Sequence, residues 1–308
     1  MPRSDSMISH RFQFAAPPGF NFWRTIYSHG WCSLPPFSIQ KESGTFSRIV
    51  SLEDEVLAEC MMREEGGKIK VLARSESALT ADQKTCIKHP LKVCLRLDEE
   101  MSEFYAEARR LPRFRWIPKW GAGRMLRAPT VFEDVVKMIC TTNCSWSLTE
   151  AMVQNFTTVL GQRFEEGKYS FPTPEVIAGK TDAFLRRNIR SGYRSPYLLE
   201  LAERVSSGRL DVESWRSSPV STEELFKTVR SVKGMGDYAA GNILKLLGRY
   251  DYLGLDSWVR GKFYDLHANG RKVKDATIEK HYAPLGKFRG LFFWLEMTHD
   301  WYKHKFPF

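Results

Sequence analysis

Hydrophobic and polar positions follow two different periods along the chain. Residues 12–100 hold short apolar runs with partial alternation, separated by turn-forming stretches such as EEGGK at 64–68. A period of two residues is typical of β-strands, and it predicts strands in FSRIVSLED, KIKVLARSES and LKVCLRLDEE. The aromatic-rich segment GFNFWRTIYSHGWCSLPPF predicts a helix and a loop, and MSEFYAEARRL near 101–111 predicts a short helix.

The period changes at residues 112–129, PRFRWIPKWGAGRMLRAP. This stretch is rich in Pro, Gly, Arg and Trp and has no regular spacing, so we interpret it as the crossing between two domains, residues 1–115 and 116–308. Beyond it, apolar residues recur at helical spacing, as in VFEDVVKMICTTN from Val131. The same spacing predicts helices in SLTEAMVQNFTTVLG, DAFLRRNI, SPYLLELAERVSSG, STEELFKTVRSV, GDYAAGNILKLLG, DSWVRGKFYDL and GLFFWLEMTHDWY.

Start signals support several of these helices. Pro129 precedes VFEDVV, and Ser221 with Glu224 has the pattern of a capping box. The expected fold is therefore α+β, with a small N-terminal antiparallel β-rich domain followed by an all-helical domain.

Composition and charge narrow the class of protein. The chain has 308 residues, of which 43% are hydrophobic, enough for a sizeable core. It has no apolar run of membrane-spanning length, and MPRSDSMISHRF lacks a signal core, so we expect neither membrane insertion nor secretion. The net charge of +10 lies mostly in residues 116–308. Such an excess attracts polyanions, most commonly nucleic acid, although it also serves solubility alone.

Cysteine and histidine patterns argue against a metal centre. The six cysteines are scattered without a CxxC motif, as expected for reduced thiols in a reducing compartment. His299 and His304 in HDWYKH are five residues apart and lack a carboxylate–histidine pattern, so we expect a solvated helix end there.

Two helical patterns, TEELFKTVRSV and YAAGNILKLLG, are joined by KGMGD. Gly234 and Gly236 allow a sharp turn and a close approach of the backbone to a partner. The free N–H groups at the start of the second helix suit a phosphate, and Lys233 adds positive charge beside them. The alternative is an ordinary corner between two helices.

A lone aspartate follows the apolar run YLGL. Asp256 begins the pattern DSWVRGKF, where it would cap a helix N-terminus. It would also emerge from the core at that junction, and an ionised carboxylate in a partly dry cleft can stabilise a developing cation. Both readings fit the sequence.

The run GMGDYAAGNILKLLG followed by LGLDSWVR resembles the helix-hairpin-helix DNA glycosylase superfamily. The order of elements is similar to that of 3-methyladenine DNA glycosylase II and 8-oxoguanine DNA glycosylase. ICTTN at 139–143 and GYR at 192–194 are similar to the latter. The likeness covers most of residues 130–260.

The resemblance implies that Asp256 is the catalytic carboxylate in the removal of a damaged base flipped out of double-stranded DNA. It implies that Gly234, Met235 and Gly236 bind DNA phosphate, helped by Lys233, with a possible Na⁺ or K⁺ on hairpin carbonyls. The iron–sulfur cluster of some members needs four C-terminal cysteines, and the last cysteine here is Cys144, so we expect no cluster.

Tyr238 stands where strand-cleaving members carry a Schiff-base lysine, so the resemblance implies base removal without a lyase step. Tyr238 could stack on the extruded base or be a core tyrosine. The oxoguanine enzyme has a histidine two residues after the catalytic aspartate, and this chain has Trp258 at the matching position. We place Trp258 and Trp146 in the base pocket. Trp116 and Trp120 could also reach it.

The resemblance also assigns residues that replace the flipped base. Asn143 would occupy the gap in the duplex, Tyr193 would act as a wedge, and Arg194 would read the orphaned partner base. The alternatives are a helix C-cap for Asn143 and a surface turn for SGYRS. The oxoguanine enzyme has a second arginine that contacts the partner base, and this chain has Leu148 at the matching position.

The expected function is that of a monomeric, monofunctional DNA glycosylase for alkylated bases, whose positive charge aromatic rings attract. One alternative is removal of oxidised purines, and a second is a non-catalytic DNA-binding protein that kept the hairpin. Action on DNA implies the cytoplasm, at the nucleoid, in a bacterium or the nucleus in a eukaryote.

Overall fold

The computed structural model describes residues 7–303, which contain seven strands and sixteen α-helices. The strands are β1 (Ile8–Ala15), β2 (Phe37–Gln40), β3 (Thr45–Ser51), β4 (Leu57–Glu65), β5 (Lys68–Ser75), β6 (Arg163–Glu165) and β7 (Lys168–Tyr169). The helices are α1 (Phe22–Ile26), α2 (Ala81–Cys86), α3 (Lys88–Leu95), α4 (Ser102–Arg110), α5 (Trp116–Trp120), α6 (Val131–Thr141), α7 (Trp146–Leu160), α8 (Pro174–Ala178), α9 (Asp182–Phe184), α10 (Ser195–Ser206), α11 (Thr222–Arg230), α12 (Asp237–Leu247), α13 (Ser257–His267), α14 (Asp275–Tyr282), α15 (Arg289–Met297) and α16 (His299–Lys303).

The first five strands form one antiparallel sheet in the order β1-β5-β4-β3-β2. Gly66 and Gly67, with φ of 59° and 69°, make the tight turn that pairs Glu65 with Lys68. This turn lies in the EEGGK stretch, as the sequence predicts. Ile69, Val71 and Ala73 alternate along β5 and face the core, because successive side chains of a strand point to opposite faces.

The prediction of a strand at 91–100 is wrong, because helix α3 occupies residues 88–95. Ile87, Leu91, Cys94 and Leu95 are completely buried, and their spacing is that of one helical face. The helical stretch begins upstream, where Thr80 forms a capping box before α2. Local alternation at 91–97 is therefore overridden by a helix that started before it.

The second part of the chain is helical as predicted, and the α+β layout is confirmed. Helices α6, α7, α10, α11, α12, α13 and α15 lie within the predicted patterns, and Ser221 and Glu224 form the expected capping box. Helix α14 and the short antiparallel ribbon β6–β7 were not predicted. The ribbon contacts the N-terminal sheet through an ion pair of 2.6 Å between Lys168 and Glu59.

The segment at 112–129 runs from the surface, where Arg113, Arg115 and Lys119 are exposed, into the packed interior. It begins with short helical turns that include α5, and its next residues are buried, with Ala122 and Leu126 completely so. Buried Arg124 donates to the carbonyls of Arg96 and Glu99, both at 2.7 Å. Ordering this segment places the loop before α6 against the N-terminal part of the chain.

A buried ionic group joins the sheet to the helices. Arg48 of β3 donates to both carboxylate oxygens of Glu133 on α6, and Lys137 lies 2.7 Å from the same carboxylate. All three side chains are buried, so each charge depends on its partners. This contact holds α6 in a fixed position on the sheet.

No helix between residues 7 and 303 is both long and apolar enough to cross a bilayer.

Candidate functional site

Asp256 is the N-cap of helix α13. Its Oδ1 accepts a hydrogen bond of 2.8 Å from the backbone N–H of Val259, which would otherwise be an unpaired donor of the first turn. The capping reading of this residue is therefore correct as a description of local structure. The same side chain also lines a cleft, so the capping contact holds its carboxylate at the cleft wall.

The cleft beside Asp256 has a volume of about 570 Å³, and we call it the aromatic cleft. Six of its lining residues are large aromatics, and they come from widely separated parts of the chain: Trp31, Trp146, Tyr238, Trp258, Trp294 and Trp301. The rings of Trp258 and Trp301 are 5.4 Å apart, and those of Trp294 and Trp301 are 5.7 Å apart. The structure thus brings Asp256 together with Tyr238, Trp258 and Trp146.

One wall of the aromatic cleft is the indole of Trp146. A Cβ at Gly30 would overlap the six-membered ring of this indole, so only glycine allows the close approach. The indole N–H donates to Glu150 at 3.0 Å, and Ser33 donates to the same carboxylate oxygen at 2.9 Å. These contacts fix the plane of the ring.

Tyr238 lies in the first turn of α12. Burial and, to a smaller extent, the carboxylate of Asp256 raise the pKa of its phenol to about 12, so the ring is neutral near pH 7. Its side chain lines the aromatic cleft and also a second, adjoining cleft. Tyr238 is therefore the wall between the two.

The second cleft, the hairpin cleft, also has a volume of about 570 Å³ and lies at the turn between α11 and α12. Gly234 has φ of 86°, which disfavours any other residue, and an added Cβ would lie 2.9 Å from the ring of Tyr197. An added Cβ at Gly236 would contact no other atom, so the backbone there is open to a partner. Met235 points into the core and anchors the turn.

Charged side chains surround the hairpin cleft. Lys233 is well exposed and lies 2.5 Å from Glu200. Asp237, at the start of α12, pairs with Arg230 at 2.7 Å, which neutralises an acidic group beside the helix N-terminus. The free N–H groups of that N-terminus remain a favourable position for an anion.

Asn143 and Tyr193 meet at the edge of the hairpin cleft. Asn143 is exposed with φ of 47°, and its amide donates to the hydroxyl of Tyr193 at 3.4 Å. Tyr193 is 45% exposed. Arg194 does not reach the surface with them, since it is only 4% exposed, lies against the ring of Tyr193 and donates to the carbonyl of Thr142. In this position Arg194 supports the loop, and its contact with a base stays a prediction. Leu148 is exposed.

The N-terminal part of the chain contributes residues to the aromatic cleft that the sequence did not predict. His29, Gly30 and Trp31 line it, and the indole of Trp31 donates to Asp134 at 2.8 Å. Burial raises the pKa of this Asp134 carboxyl to about 6. The aromatic-rich opening of the chain was the only local signal for these residues.

Lys245 is a completely buried lysine on α12. It lies two helical turns after Tyr238 and on the same face of the helix. Its Nζ donates to the carbonyl of Leu253 at 2.5 Å and to Asn242 at 3.1 Å. Burial lowers its pKa to about 7, although the carboxylates of Asp256 and Glu279 oppose that change. The contact with Leu253 ties α12 to the segment that leads into Asp256.

An early segment and a late segment of the chain are in contact at the aromatic cleft. The indole N–H of Trp294 on α15 donates to the backbone carbonyl of Ser28 at 3.0 Å. The cleft therefore depends on contacts between residues far apart in sequence.

Trp116 and Trp120, which the sequence left as core residues or cleft residues, are not among the described residues that line the aromatic cleft. Their rings lie 4.4 Å and 5.8 Å from that of His299, in a cluster on the other side of α16. His304, the partner of His299 in the HDWYKH pattern, lies outside the described residues.

His267, His281 and Glu296 place potential metal-ligand atoms within 4.8 Å of one another. The guanidinium of Arg113 donates to His281 at 3.1 Å and lies 3.7 Å from Glu296. Because that fixed positive charge already pairs with the group, these residues fit a hydrogen-bond network better than a metal ion. The pKa of His281 is lowered by burial, by His267 and by Arg113.

Comparisons with solved structures show which proteins share this fold. A 3-methyladenine DNA glycosylase from Archaeoglobus fulgidus has a TM-score of 0.74 and 19% identity, over 94% of this chain and 99% of that one. A protein named MBOgg1, in complex with a low-affinity DNA ligand, has a TM-score of 0.74 and 19% identity over 97% and 100%. An 8-oxoguanine glycosylase/lyase from Clostridium acetobutylicum, in complex with double-stranded DNA containing cytosine opposite 8-oxoguanine, has a TM-score of 0.73 and 18% identity over 97% and 99%. No protein-family model and no curated protein matches the chain.

Proposed function

We propose that this chain, which has the fold of the helix-hairpin-helix DNA glycosylases, is a DNA glycosylase that removes a damaged base from duplex DNA without cutting the strand. The observation that carries the proposal is the position of Asp256 at the wall of the aromatic cleft, next to the hairpin cleft. The first cleft suits a flat base, and the second suits the DNA backbone.

The hairpin cleft would hold the duplex. The backbone of residues 234–236 and the N-terminus of α12 would bind phosphate, with Lys233 beside them. The exposed ring of Tyr193 would enter the base stack and Asn143 would fill the gap left by the flipped base. Their contact across the mouth of this cleft places both on the same side as the hairpin.

The extruded base would then pass Tyr238 and enter the aromatic cleft. Breaking the bond between the base and C1′ leaves positive charge on the sugar. The carboxylate of Asp256 would stabilise that charge and position the attacking water. The hydrogen bond from the N–H of Val259 holds the carboxylate at the wall of the cleft, where this role requires it.

Base removal without a lyase step follows from the group at Tyr238. A Schiff base needs an amine that reaches C1′, and a phenol cannot form one. Lys245, the lysine of α12, is completely buried and bonded to Leu253 and Asn242. Lys262 also lines the aromatic cleft, but its Nζ lies 3.9 Å from the carboxylate of Asp300, and it follows the cap of α13 rather than the hairpin. We therefore expect abasic sites as products.

Alkylated purines are the proposed substrates. A purine methylated at N3 or N7 carries positive charge, and the indole rings of the aromatic cleft would attract it by cation–π contact. Removal of oxidised purines is the second candidate, favoured by the Asn143–Tyr193 contact, because these residues match the oxoguanine-type stretches in the sequence.

A strand-scission assay separates these functions. Labelled duplexes would carry one lesion each: 7-methylguanine, hypoxanthine, 1,N6-ethenoadenine, or 8-oxoguanine opposite cytosine. Each product would be analysed with and without hot alkali. Breaks that need alkali, on alkylated lesions, support the proposal. Breaks without alkali on 8-oxoguanine would contradict the monofunctional mechanism and the substrate class, and intact strands throughout would leave a DNA-binding protein without glycosylase activity.

A further inference from the structure

The side chain of His29 is held in one orientation at the wall of the aromatic cleft. Its Nε2 lies 2.6 Å from the backbone carbonyl of Leu126. A carbonyl oxygen can only accept a hydrogen bond, so Nε2 must carry the proton and donate it. This contact joins two residues that are 97 positions apart in the sequence. It fixes both the plane of the ring and its tautomer.

The same imidazole stays neutral well below pH 7. Burial and, to a smaller extent, the nearby cations of Arg96, Lys137 and Lys245 lower its pKa to about 4, while the bond to Leu126 opposes the change. In a neutral imidazole with the proton on Nε2, the other nitrogen is a bare acceptor. His29 therefore offers an acceptor at Nδ1.

That acceptor has no partner among residues 7–303, where Nε2 makes the only hydrogen bond of the ring. His29 is 7% exposed and lines the aromatic cleft, with its ring 5.0 Å from that of Trp31. An acceptor without a protein partner in the wall of a cleft favours a ligand that brings a donor.

We propose that His29 is a specificity-determining residue, whose Nδ1 accepts a hydrogen bond from an N–H group of the base held in the aromatic cleft. This inference rests on the proposed function. It predicts a preference for damaged bases that keep an amino or ring N–H over bases whose N–H groups have been lost. Because 7-methylguanine is also cationic, cation–π attraction alone would favour it over ethenoadenine, so the test depends on how substitutions of His29 change the two rates.

Two lesions and two variants test the inference. The base of 7-methylguanine carries N–H groups, whereas 1,N6-ethenoadenine has none. In His29→Gln, the amide nitrogen can reach the place of Nε2 and keep the bond to Leu126, but nothing replaces Nδ1. In His29→Asn, the amide oxygen takes the place of Nδ1, and the bond to Leu126 is lost. The two variants thus separate the acceptor from the structural contact.

The measurement is the single-turnover rate of excision, with the melting temperature of each variant as a check on folding. We expect His29→Gln to slow removal of 7-methylguanine by about tenfold to a hundredfold and to change removal of ethenoadenine by less than about twofold. We expect His29→Asn to retain most of its rate on 7-methylguanine. If the unaltered enzyme removes only 7-methylguanine, the difference in excision rate between His29→Gln and His29→Asn on that lesion still tests the inference.

Equal losses on both lesions in His29→Gln, or loss in His29→Asn with retention in His29→Gln, would show a structural role and overturn the inference. Removal of ethenoadenine alone by the unaltered enzyme would overturn it too. If the unaltered enzyme removes neither these lesions nor any other, the proposed function fails, and the inference fails with it.

Discussion

The carboxylate of Asp256 is bonded to the backbone N–H of Val259, and the same carboxylate lines the aromatic cleft. One side chain thus caps a helix and stands where chemistry on a bound base would occur. The two roles can be separated by substitution, because asparagine caps helices as well as aspartate does but carries no charge.

We expect Asp256→Asn to lower the single-turnover excision rate by at least about a hundredfold, since the charge that would stabilise the sugar cation is lost. The melting temperature should change little, because the amide oxygen still accepts from Val259. Binding of an uncleaved lesion duplex should remain, which a gel-shift titration checks. Asp256→Ala is the matched control, as it should lose both the rate and about 1 kcal/mol of stability. An excision rate at the level of the unaltered enzyme in Asp256→Asn would disprove the catalytic role.

The two hairpin glycines should respond differently to alanine. Gly234→Ala should lower the free energy of unfolding by about 1–2 kcal/mol, because its φ of 86° is strained for alanine and Tyr197 lies in the way. Gly236→Ala should lower the melting temperature only slightly, since φ is −78° and the space is open, while alanine caps a helix N-terminus less well than glycine. It should weaken duplex binding about tenfold by keeping phosphate away from the backbone. Unchanged binding by Gly236→Ala would place the phosphate contact elsewhere.

Tyr238→Lys should add weak strand cleavage. The new amine would stand at the boundary between the two clefts, near Asp256, where it could attack C1′ after the base has left. Reduction with borohydride should then trap a covalent enzyme–DNA complex, visible on a denaturing gel. Tyr238→Phe is the control, because it keeps the ring and has no amine. Absence of a trapped complex in Tyr238→Lys would mean that this position does not face the sugar.

Lys245 should make the stability of the protein depend on pH. Its pKa is about 7 in the folded protein and near 10.5 in an unfolded chain, so unfolding takes up a proton between these values. The free energy of unfolding should therefore rise with pH in that window. Relative to Lys245→Met, the unaltered protein should gain about 2 kcal/mol between pH 7 and pH 9. Parallel denaturation midpoints for the two proteins across this range would show that Lys245 does not titrate as inferred.

The predictable part of the site consists of local signals. The glycine turn before α12 and the aspartate before α13 each act within a few residues, so the hairpin and the cap could be read from the sequence. Tyr238 and Trp258 were assigned to the base pocket only through the resemblance to the glycosylase superfamily, not from these local signals. Their meeting in one cleft agrees with the sequence-based expectation, although their roles stay predictions.

The other walls of the cleft could not be predicted, because long-range contacts place them. His29 and Trp31 are more than 200 residues from Asp256, and they are positioned by Leu126 and Asp134. Nothing in SHGW distinguishes a cleft wall from ordinary core. The wrong strand at 91–100 has the same origin in part, because the burial of Leu91 and Leu95 satisfies both periods and only the upstream helix start decides.

The hydrogen bond between Trp294 and Ser28 bears on how copies of this chain would behave if translation stopped early. A ribosome that terminated after α13 would release a product with the sheet, the hairpin and Asp256, but without Trp294 and Trp301. Such a fragment would lose two walls of the aromatic cleft, and it would also lose the buried core residues Leu291, Phe292 and Phe293 of α15. We therefore expect such a product to be unfolded and degraded, so that early termination removes the protein's function altogether.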